Sequence, residues 1–273
     1  MSMAAYVHGY SARERERLVD QATALVDLLH CDTSYPAGAV VLEAGCGVGA
    51  QTVTLARQSS GATIVAMDLS ADLLTTARGR VADAGLRNVV FGRADLYTPP
   101  FAPRTFDHVF VCFVLEHLAR PVDAVRGLRR LLRPGGTLTV IEGDHGSTYF
   151  HPESADARRA IQCLIELQAR AGGNSLIGRS LYPLLVEAGL AQVRVSPRLV
   201  YVDASRPKLV EGFTKNTFTA MVEGVRQAAL DAGLIDAATF DRGVADLYRT
   251  AAADGTFCYT FFKAVGMEPA HDP

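Results

Sequence analysis

The stretch Val41-Leu-Glu-Ala-Gly45-Cys-Gly47-Val-Gly49-Ala-Gln51 decides the fold class of this chain. It follows a short apolar run, 39–42, that predicts a buried parallel strand, and it opens a predicted helix. Glycines let a backbone approach a ligand closely, and a helix N-terminus presents free amide hydrogens to an anion. The spacing of Gly45, Gly47 and Ala50 also fits the loose dinucleotide-binding fingerprint. By itself the loop therefore indicates a nucleotide-like cofactor and nothing finer.

Strand and helix patterns alternate around this loop. Strands are predicted at 62–67, 88–91, 106–113, 137–141, 192–202 and 256–264, and helices at 18–29, 71–83, 121–132, 155–171, 180–188, 207–232 and 236–252. This alternation predicts an α/β protein with a doubly wound, mostly parallel sheet. The helical stretch of about 50 residues before the last strand is long enough to be a lid. We expect a helical lid at 1–35, a cofactor-binding core at 36–145, and the rest of the sheet with inserted helices at 146–273.

Composition excludes several classes of protein. The chain has 273 residues, 49% of them hydrophobic, with a net charge of -2, so neither disorder nor bulk electrostatic binding of nucleic acid is expected. Five cysteines without a CxxC pair predict reduced thiols rather than disulfides or a metal site. No apolar run suits a membrane span or a secretory signal, so we expect a cytoplasmic protein without a membrane partner. A homo-oligomer remains open.

Three carboxylates refine the interpretation of the glycine loop. Asp68 and Asp95 end the second and third predicted strands, where one could accept both ribose hydroxyls and the other an adenine amino proton. Glu43 lies two residues before the first glycine, near where an ammonium group could sit. A nicotinamide enzyme needs the ribose partner but has no use for Glu43 or Asp95. An NAD(P)-dependent reductase is therefore the alternative, as is a non-catalytic cofactor-binding module.

The chain resembles the class I S-adenosylmethionine-dependent methyltransferases. The resemblance is strong over about 38–145 and is carried by 43–49, 68–70, 94–96, 106–117 and 132–138. It implies a Rossmann-like, seven-stranded sheet whose last strand is antiparallel. It also implies that Gly45, Gly47 and Gly49 hold the methionine end of S-adenosylmethionine, Asp68 the ribose and Asp95 the adenine. The same cofactor site is expected to include Tyr10, Glu43, Cys46, Gln51, Leu69, Ala94, Leu96, and Cys112 and Phe113 beside the methyl group.

The acceptor of the methyl group is harder to predict. The loop predicted at 142–151 places Asp144 beside His145, which could act as a general base, with His117 as a rival. Thr98-Pro-Pro-Phe101 only superficially resembles a nucleic-acid methyltransferase motif, so we expect a small-molecule acceptor and no nucleic acid. An aromatic or heteroaromatic metabolite is favoured, with indole C3, N or O methylation as options. Candidate acceptor-site residues are Tyr6, Glu116, Tyr149, Phe150, Asn174, Phe213 and Tyr259.

Overall fold

The computed structural model describes residues 25–270. One seven-stranded sheet runs through them in the order β3-β2-β1-β4-β5-β7-β6. Its strands are β1 (Val40–Ala44), β2 (Thr63–Asp68), β3 (Val89–Arg93), β4 (Phe106–Cys112), β5 (Leu132–His151), β6 (Ala191–Val202) and β7 (Thr256–Met267).

Pairing directions confirm the expected class of sheet. β1 to β5 pair in parallel, whereas β7 lies antiparallel between β5 and β6. β1 has β2 on one side and β4 on the other, so the strand order reverses there. In open sheets of this kind, ligands bind outside the carboxyl ends of the strands at such a switch point. The carboxyl ends of β1 and β4 are therefore where a cofactor is expected.

Helices cover both faces of the sheet. They are α1 (Ala50–Gln58), α2 (Ala71–Asp83), α3 (Pro121–Arg129), α4 (Ala155–Arg170), α5 (Leu181–Glu187), α6 (Arg226–Asp231) and α7 (Ala237–Arg249), besides helical residues 25–30 and the helical segment 207–224. One face packs against 25–30, α1, α4, the segment 207–224, α6 and α7. The opposite face packs against α3 and α5. These two apolar clusters form most of the core, and Cys46, Ala66 and Leu74 form a smaller third one.

The fifth strand is much longer than the sequence predicts. It continues from Ile141 to His151 and pairs with Thr256–Lys263 of β7, so the loop expected at 142–151 is wrong. The pairing slips between Asp144 and Tyr149, where three extra residues on β5 form a bulge. The bulge and the polar residues around it hide the alternation that would have predicted a strand. The boundary expected at 145/146 falls inside this strand, so 36–145 and 146–273 share one sheet.

The helical region before β7 is interrupted, unlike the continuous helix predicted at 207–232. The segment 207–224 comprises Pro207–Leu209, a π-helical stretch Val210–Thr219 and Ala220–Gly224, and a turn at Val225 separates it from α6. Single π turns inside helices are often found at functional sites. Of the lid expected at 1–35, residues 1–24 lie outside the described residues, and 25–30 form a helix whose Leu25 and Leu29 are buried.

Candidate functional site

The glycine loop links β1 to α1 in a conformation that requires glycine. Gly45 has φ 78°, and a Cβ there would lie 2.6 Å from the Val114 side chain, on the loop after β4. Gly47 has φ 52°, and a Cβ there would have no neighbour within 4 Å among the described residues. Gly49, with φ 76°, is the N-cap residue of α1. The loop is therefore packed tightly on its inner side and open at Gly47, as close approach of a ligand requires.

Asp68 lies at the end of β2, beside the glycine loop. Its Oδ2 accepts a hydrogen bond from the Gly47 N–H at 2.9 Å, and its Oδ1 accepts one from the Ser70 N–H at 2.9 Å. The Asp68 carbonyl in turn accepts from the Ala94 N–H at 3.0 Å. These bonds join the ends of β2 and β3 to the loop, so the residues predicted to hold the sugar and the base are neighbours. Asp95 is exposed, and its Oδ1 accepts from the Tyr97 N–H at 2.9 Å.

The smaller cofactor contacts predicted from the sequence differ in exposure and in their neighbours. Leu69 is 38% exposed although it is a large apolar residue. Leu96 is half-buried, and Cys46 is buried against Leu74 of α2. Gln51, on the first turn of α1, has its Oε1 2.7 Å from Nε2 of His30. The amide of Gln51 therefore connects α1 to the helical residues 25–30.

Glu43 is a buried carboxyl with spare hydrogen-bonding capacity. The residue is 3% exposed, and its Oε2 has no hydrogen-bond partner within residues 25–270. Burial raises the pKa of Glu43 to about 8, the Thr52 hydroxyl beside it lowers the pKa in part, and the charge of Asp68 raises it further. An ammonium group on a ligand would supply the missing donor and the missing positive charge. The amino acid end of S-adenosylmethionine therefore fits this position.

The end of β4 forms the centre of the candidate site. Cys112 is buried, and Phe113 has φ 57° while its N–H donates to the Ile141 carbonyl at 2.9 Å. A positive φ at a bulky residue is a strained conformation of the kind concentrated at functional sites. The strand therefore ends with a backbone that turns sharply next to the glycine loop.

Glu142 is a site residue that the sequence reasoning missed. Its Oε1 accepts hydrogen bonds from the backbone N–H groups of Val114 at 3.0 Å and Leu115 at 2.7 Å. The side chain is fully buried, its Oε2 has no partner in the described part of the chain, and burial, followed by the charge of Glu116, raises its pKa. Glu142 thus fixes the turn after Phe113. A glutamate directly after an apolar strand is the signal that could have found it.

Glu116 and Asn174, two predicted acceptor-site residues, are in direct contact. The Asn174 N–H donates to the Glu116 carbonyl at 2.7 Å, and Nε2 of Gln168 donates to the Glu116 Oε2 at 3.2 Å. Oε1 of Glu116 also lies 3.5 Å from Nε2 of His117. The loop after β4 is therefore attached to α4 and to the turn that follows it. Gln168, buried four residues after Leu164 on the apolar face of α4, was missed by the sequence reasoning.

Asp144 and His145 do not form the dyad expected from their adjacency. Successive residues of a strand point to opposite faces, and both lie in β5. Both carboxylate oxygens of Asp144 accept from Arg179, at 2.6 and 2.7 Å, on one face. Nδ1 of His145 lies 2.8 Å from the Tyr259 hydroxyl on the other face. The side chains of the predicted catalytic pair therefore lie on opposite faces of the sheet, and His145 is hydrogen-bonded to Tyr259.

A cluster of aromatic rings surrounds Tyr259 on the face that carries His145. The Tyr259 ring lies 4.7 Å from Phe261, 5.5 Å from Phe218 and 5.7 Å from Phe213, centroid to centroid. Phe113 joins this cluster through Phe261 at 5.5 Å. The aromatic cluster therefore extends from the end of β4 along β7, with Phe213 and Tyr259 in its buried part.

The other predicted aromatic residues separate into three groups. Phe150 is buried and stacks on Phe257, with centroids 6.3 Å apart, on the same face as His145. Tyr149 is 66% exposed and lies in register with Cys258 and Tyr201 on the other face. Its side chain therefore points away from His145. Tyr6 and Tyr10 lie outside the described residues.

Two features are absent from residues 25–270. No helix there is both long and apolar enough to cross a bilayer. No group of three or more His, Cys, Asp or Glu side chains there is arranged to bind a metal ion.

Comparison with known proteins identifies the domain. Residues 42–140 match the family model described as a methyltransferase domain. An uncharacterized 37.1 kDa protein of transposon TN4556 from Streptomyces fradiae is 33% identical over 68% of this chain and 54% of its own length. Methyltransferase GfsG of Streptomyces halstedii is 34% identical over 48% of this chain and 45% of its own length. The chain thus spans about half the length of these curated relatives.

Solved structures share the fold over most of the described chain. The [4+2]-cyclase SpnF aligns with a TM-score of 0.55 at 20% identity, over 92% of this chain and 82% of that one. A phosphoethanolamine N-methyltransferase of Haemonchus contortus, solved with S-adenosylhomocysteine, aligns with a TM-score of 0.54 at 16% identity. The alignment covers 92% of this chain and 53% of that one. At these identities the likeness concerns the fold alone. The matched family model identifies residues 42–140, which include the glycine loop, Glu43 and Asp68, as a methyltransferase domain, and the fold around them is that of the class I S-adenosylmethionine-dependent methyltransferases.

Proposed function

We propose that this chain transfers a methyl group from S-adenosylmethionine to a small molecule with an aromatic or heteroaromatic group. The observation that carries the acceptor class is the continuity of the aromatic cluster with the end of β4. Phe113 ends the strand beside the cofactor edge, and its ring lies 5.5 Å from Phe261 of the cluster. An acceptor ring at this junction would lie next to both the apolar cluster and the cofactor edge.

The cofactor half of the site supports the same reaction. Asp68 ends β2 and Asp95 follows the end of the neighbouring strand β3, where they would hold the sugar and the base, and Glu43 has a buried oxygen without a donor among residues 25–270. When bound, S-adenosylmethionine supplies an electrophilic methyl carbon attached to a sulfonium. With the cofactor held there, an electron pair of the acceptor would form the new bond to that carbon while the electrons of the carbon–sulfur bond pass to sulfur, leaving a neutral thioether, and a carbon, nitrogen or oxygen nucleophile would then lose its proton to solvent or a base. Holding these atoms in line can contribute about 7–11 kcal/mol.

The geometry leaves the methylated atom open, and indole C3 is one option within this proposal. The reductase alternative gives no role to Glu43 or Asp95. A non-catalytic module would bind the cofactor but transfer nothing. Cofactor binding and turnover therefore have to be measured separately.

Calorimetry with S-adenosylmethionine and with NADPH, followed by transfer of a labelled methyl group to tryptophan-derived and other aromatic compounds, tests the proposal. We expect binding of the first cofactor and labelling of at least one aromatic acceptor. The Asp68→Asn variant should bind S-adenosylmethionine more weakly, while Asp72→Asn, an exposed carboxylate on α2, serves as the matched control. Binding of NADPH instead, or cofactor binding without turnover on any acceptor, would contradict the proposal. Labelling confined to hydroxyl acceptors would refute the indole option.

A further inference from the structure

Helix α1 begins without a side-chain cap. Its N-cap residue is Gly49, which has no side chain to bond the amide hydrogens of the first turn. Uncapped amide hydrogens at a helix N-terminus attract an anion, and S-adenosylmethionine carries a carboxylate at the end expected to lie against the glycine loop. A helix start that is left open for a ligand needs another contact to hold its first turn in place.

That contact is the hydrogen bond between Gln51 and His30. Gln51 lies in the first turn of α1, and its Oε1 is 2.7 Å from Nε2 of His30. The histidine is 1% exposed, and its ring lies 5.7 Å from that of Phe110 on β4. Burial lowers the pKa of His30 to about 4, and the bond to Gln51 offsets only part of this shift. At neutral pH the ring is therefore uncharged and carries one N–H.

The direction of this hydrogen bond follows from the other ring nitrogen of His30. Nδ1 is buried and has no hydrogen-bond partner in the described part of the chain. A hydrogen on Nδ1 would be a buried N–H without an acceptor, which is rarer and more unfavourable than an unpartnered lone pair. The hydrogen therefore lies on Nε2 and is donated to Oε1 of Gln51. The amide NH₂ of Gln51 then points away from the histidine.

His30 is itself anchored to the sheet through the residues that follow it. The Thr33 N–H donates to the His30 carbonyl at 3.0 Å. Nζ of Lys263 donates to the Thr33 hydroxyl and to Oδ1 of Asp32, both at 2.6 Å. Lys263 is 4% exposed and lies on β7, in register with Ile141 of β5. A continuous set of hydrogen bonds therefore runs from β7 through His30 to the first turn of α1.

We propose that His30 is a positioning residue for cofactor binding, which holds Gln51 and with it the first turn of α1 where the carboxylate of S-adenosylmethionine binds. This role accounts for an imidazole on an apolar helix face. Leu25 and Leu29 of the same helix are buried in the core, and an apolar side chain at position 30 would pack there without leaving Nδ1 unpartnered. Residues that break a local pattern in this way are expected at functional sites. The role concerns the cofactor and not the acceptor, so it is separate from the proposed acceptor class.

Calorimetry with S-adenosylmethionine on variants of the full chain tests the role. His30→Leu and Gln51→Leu should each weaken the affinity about tenfold, because each removes the same hydrogen bond. The double variant should be no weaker than either single variant. His108→Leu is the matched control: this histidine bonds to the Thr137 hydroxyl at 2.8 Å and lies opposite Val41, near the start of β1, so the affinity should not change. An unchanged affinity in His30→Leu, or losses that multiply to about a hundredfold in the double variant, would overturn the proposal.

Two further measurements separate positioning from a general effect on the fold. His30→Gln keeps an N–H that can be donated to Gln51, so it should bind S-adenosylmethionine within about threefold of the wild type. The midpoint of thermal unfolding of His30→Leu should stay within about 2 °C of the wild type or rise, because the leucine fills an apolar site. An affinity of His30→Gln as low as that of His30→Leu, or a midpoint lowered by more than about 5 °C in His30→Leu, would assign the histidine a structural role instead.

Nitrogen NMR on the full chain labelled with ¹⁵N-histidine tests the direction of the hydrogen bond without any ligand. The chain has seven histidines, and the signal that disappears in His30→Gln assigns the ring. We expect an unprotonated Nδ1 and a protonated Nε2 at pH 7. A protonated Nδ1 would overturn the proposed donation to Gln51. None of these measurements involves an acceptor, so a chain that methylates no aromatic compound contradicts the proposed function and not the role of His30.

Discussion

Replacing Glu43 with glutamine should remove a pH dependence from cofactor binding. In the free protein the pKa of Glu43 is about 8, because the carboxyl is buried. Below that pH the group is mostly protonated and neutral. A cationic ligand favours the ionised form, so binding must release the proton. Affinity for S-adenosylmethionine should therefore rise as the pH rises toward 8.

The size of the effect follows from that pKa. About a hundredth of the molecules have an ionised Glu43 at pH 6 and about a tenth at pH 7. The affinity should thus increase about tenfold over this interval, which corresponds to about 1.4 kcal/mol. The interval stays below the range, about 7.7–8.0, where an α-amino group loses its own proton. About 0.9 proton should be released for each cofactor bound at pH 7.

Calorimetry at pH 6.0, 6.5 and 7.0, in buffers of different ionisation enthalpy, measures both the affinity and the proton release. Glu43→Gln should bind with an affinity that hardly changes with pH. Glu187→Gln, whose side chain is 64% exposed on the surface, is the matched control and should keep the wild-type slope. A flat wild-type profile, or a slope that survives in Glu43→Gln, would refute this account of Glu43.

The same group should be visible in the stability of the ligand-free chain. The pKa of Glu43 is about 8 in the folded chain and about 4.5 in the unfolded chain. The fold is therefore most stable below pH 4.5, where the carboxyl is protonated in both states, and it loses stability as the pH rises toward 8. Between pH 5 and 8 this group should lower the free energy of unfolding by about 1.4 kcal/mol per pH unit. Denaturant titrations should show a shallower decline in Glu43→Gln. An identical decline in both proteins would show that Glu43 ionises normally in the fold.

Three further substitutions test the frame of the site. Gly45→Ala puts a side chain at a positive φ and against Val114, so it should weaken cofactor binding and lower the free energy of unfolding by about 1–3 kcal/mol. Gly79→Ala, at an open position in α2, is the control and should raise the free energy of unfolding by up to about 1 kcal/mol. Arg179→Met removes the cation beside the Asp144 carboxylate, which is 3% exposed, and should lower the free energy of unfolding by about 2–3 kcal/mol in denaturant titrations. Adding Asp144→Asn should recover most of that loss. Effects of the two substitutions that simply add would argue against an ion pair between these residues. Gly143→Ala places a methyl group against the Tyr259 hydroxyl and should lower the midpoint of thermal unfolding; an unchanged midpoint would show that the tyrosine moves freely.

The fold was predictable from the sequence as far as local patterns could define it. Buried parallel strands give continuous apolar runs, and glycines and prolines separate them from helices, so the strand ending at Ala44 and the helix Ala71–Asp83 were found close to their true bounds. The antiparallel seventh strand was found from the resemblance to a known family. The extension of β5 to His151 was not found, because its bulge shifts the alternation and polar residues interrupt the apolar run.

The candidate site was predictable where a short stretch of sequence contains the residues that form it. The glycine loop and Asp68 are recognisable from spacing, and they meet in the structure through the bond from the Gly47 N–H. The partner of His145 was not predictable, because Tyr259 lies more than a hundred residues away in the chain. The tyrosine itself was noted only as an acceptor-site residue. Adjacency in sequence favoured Asp144, and strand geometry places adjacent side chains on opposite faces.

The long fifth strand has a consequence for building hybrid enzymes. Because β5 carries Ile141, the register partner of Cys112, at its middle and Phe150 near its end, a single hydrogen-bonded ladder with β7 connects the two halves of the site. A crossover placed at residue 145 would split that ladder and combine two registers that evolved apart. Chimeras with relatives should fold more reliably when β5 and β7 come from the same parent. The exchanged piece would then lie between His151 and Thr256.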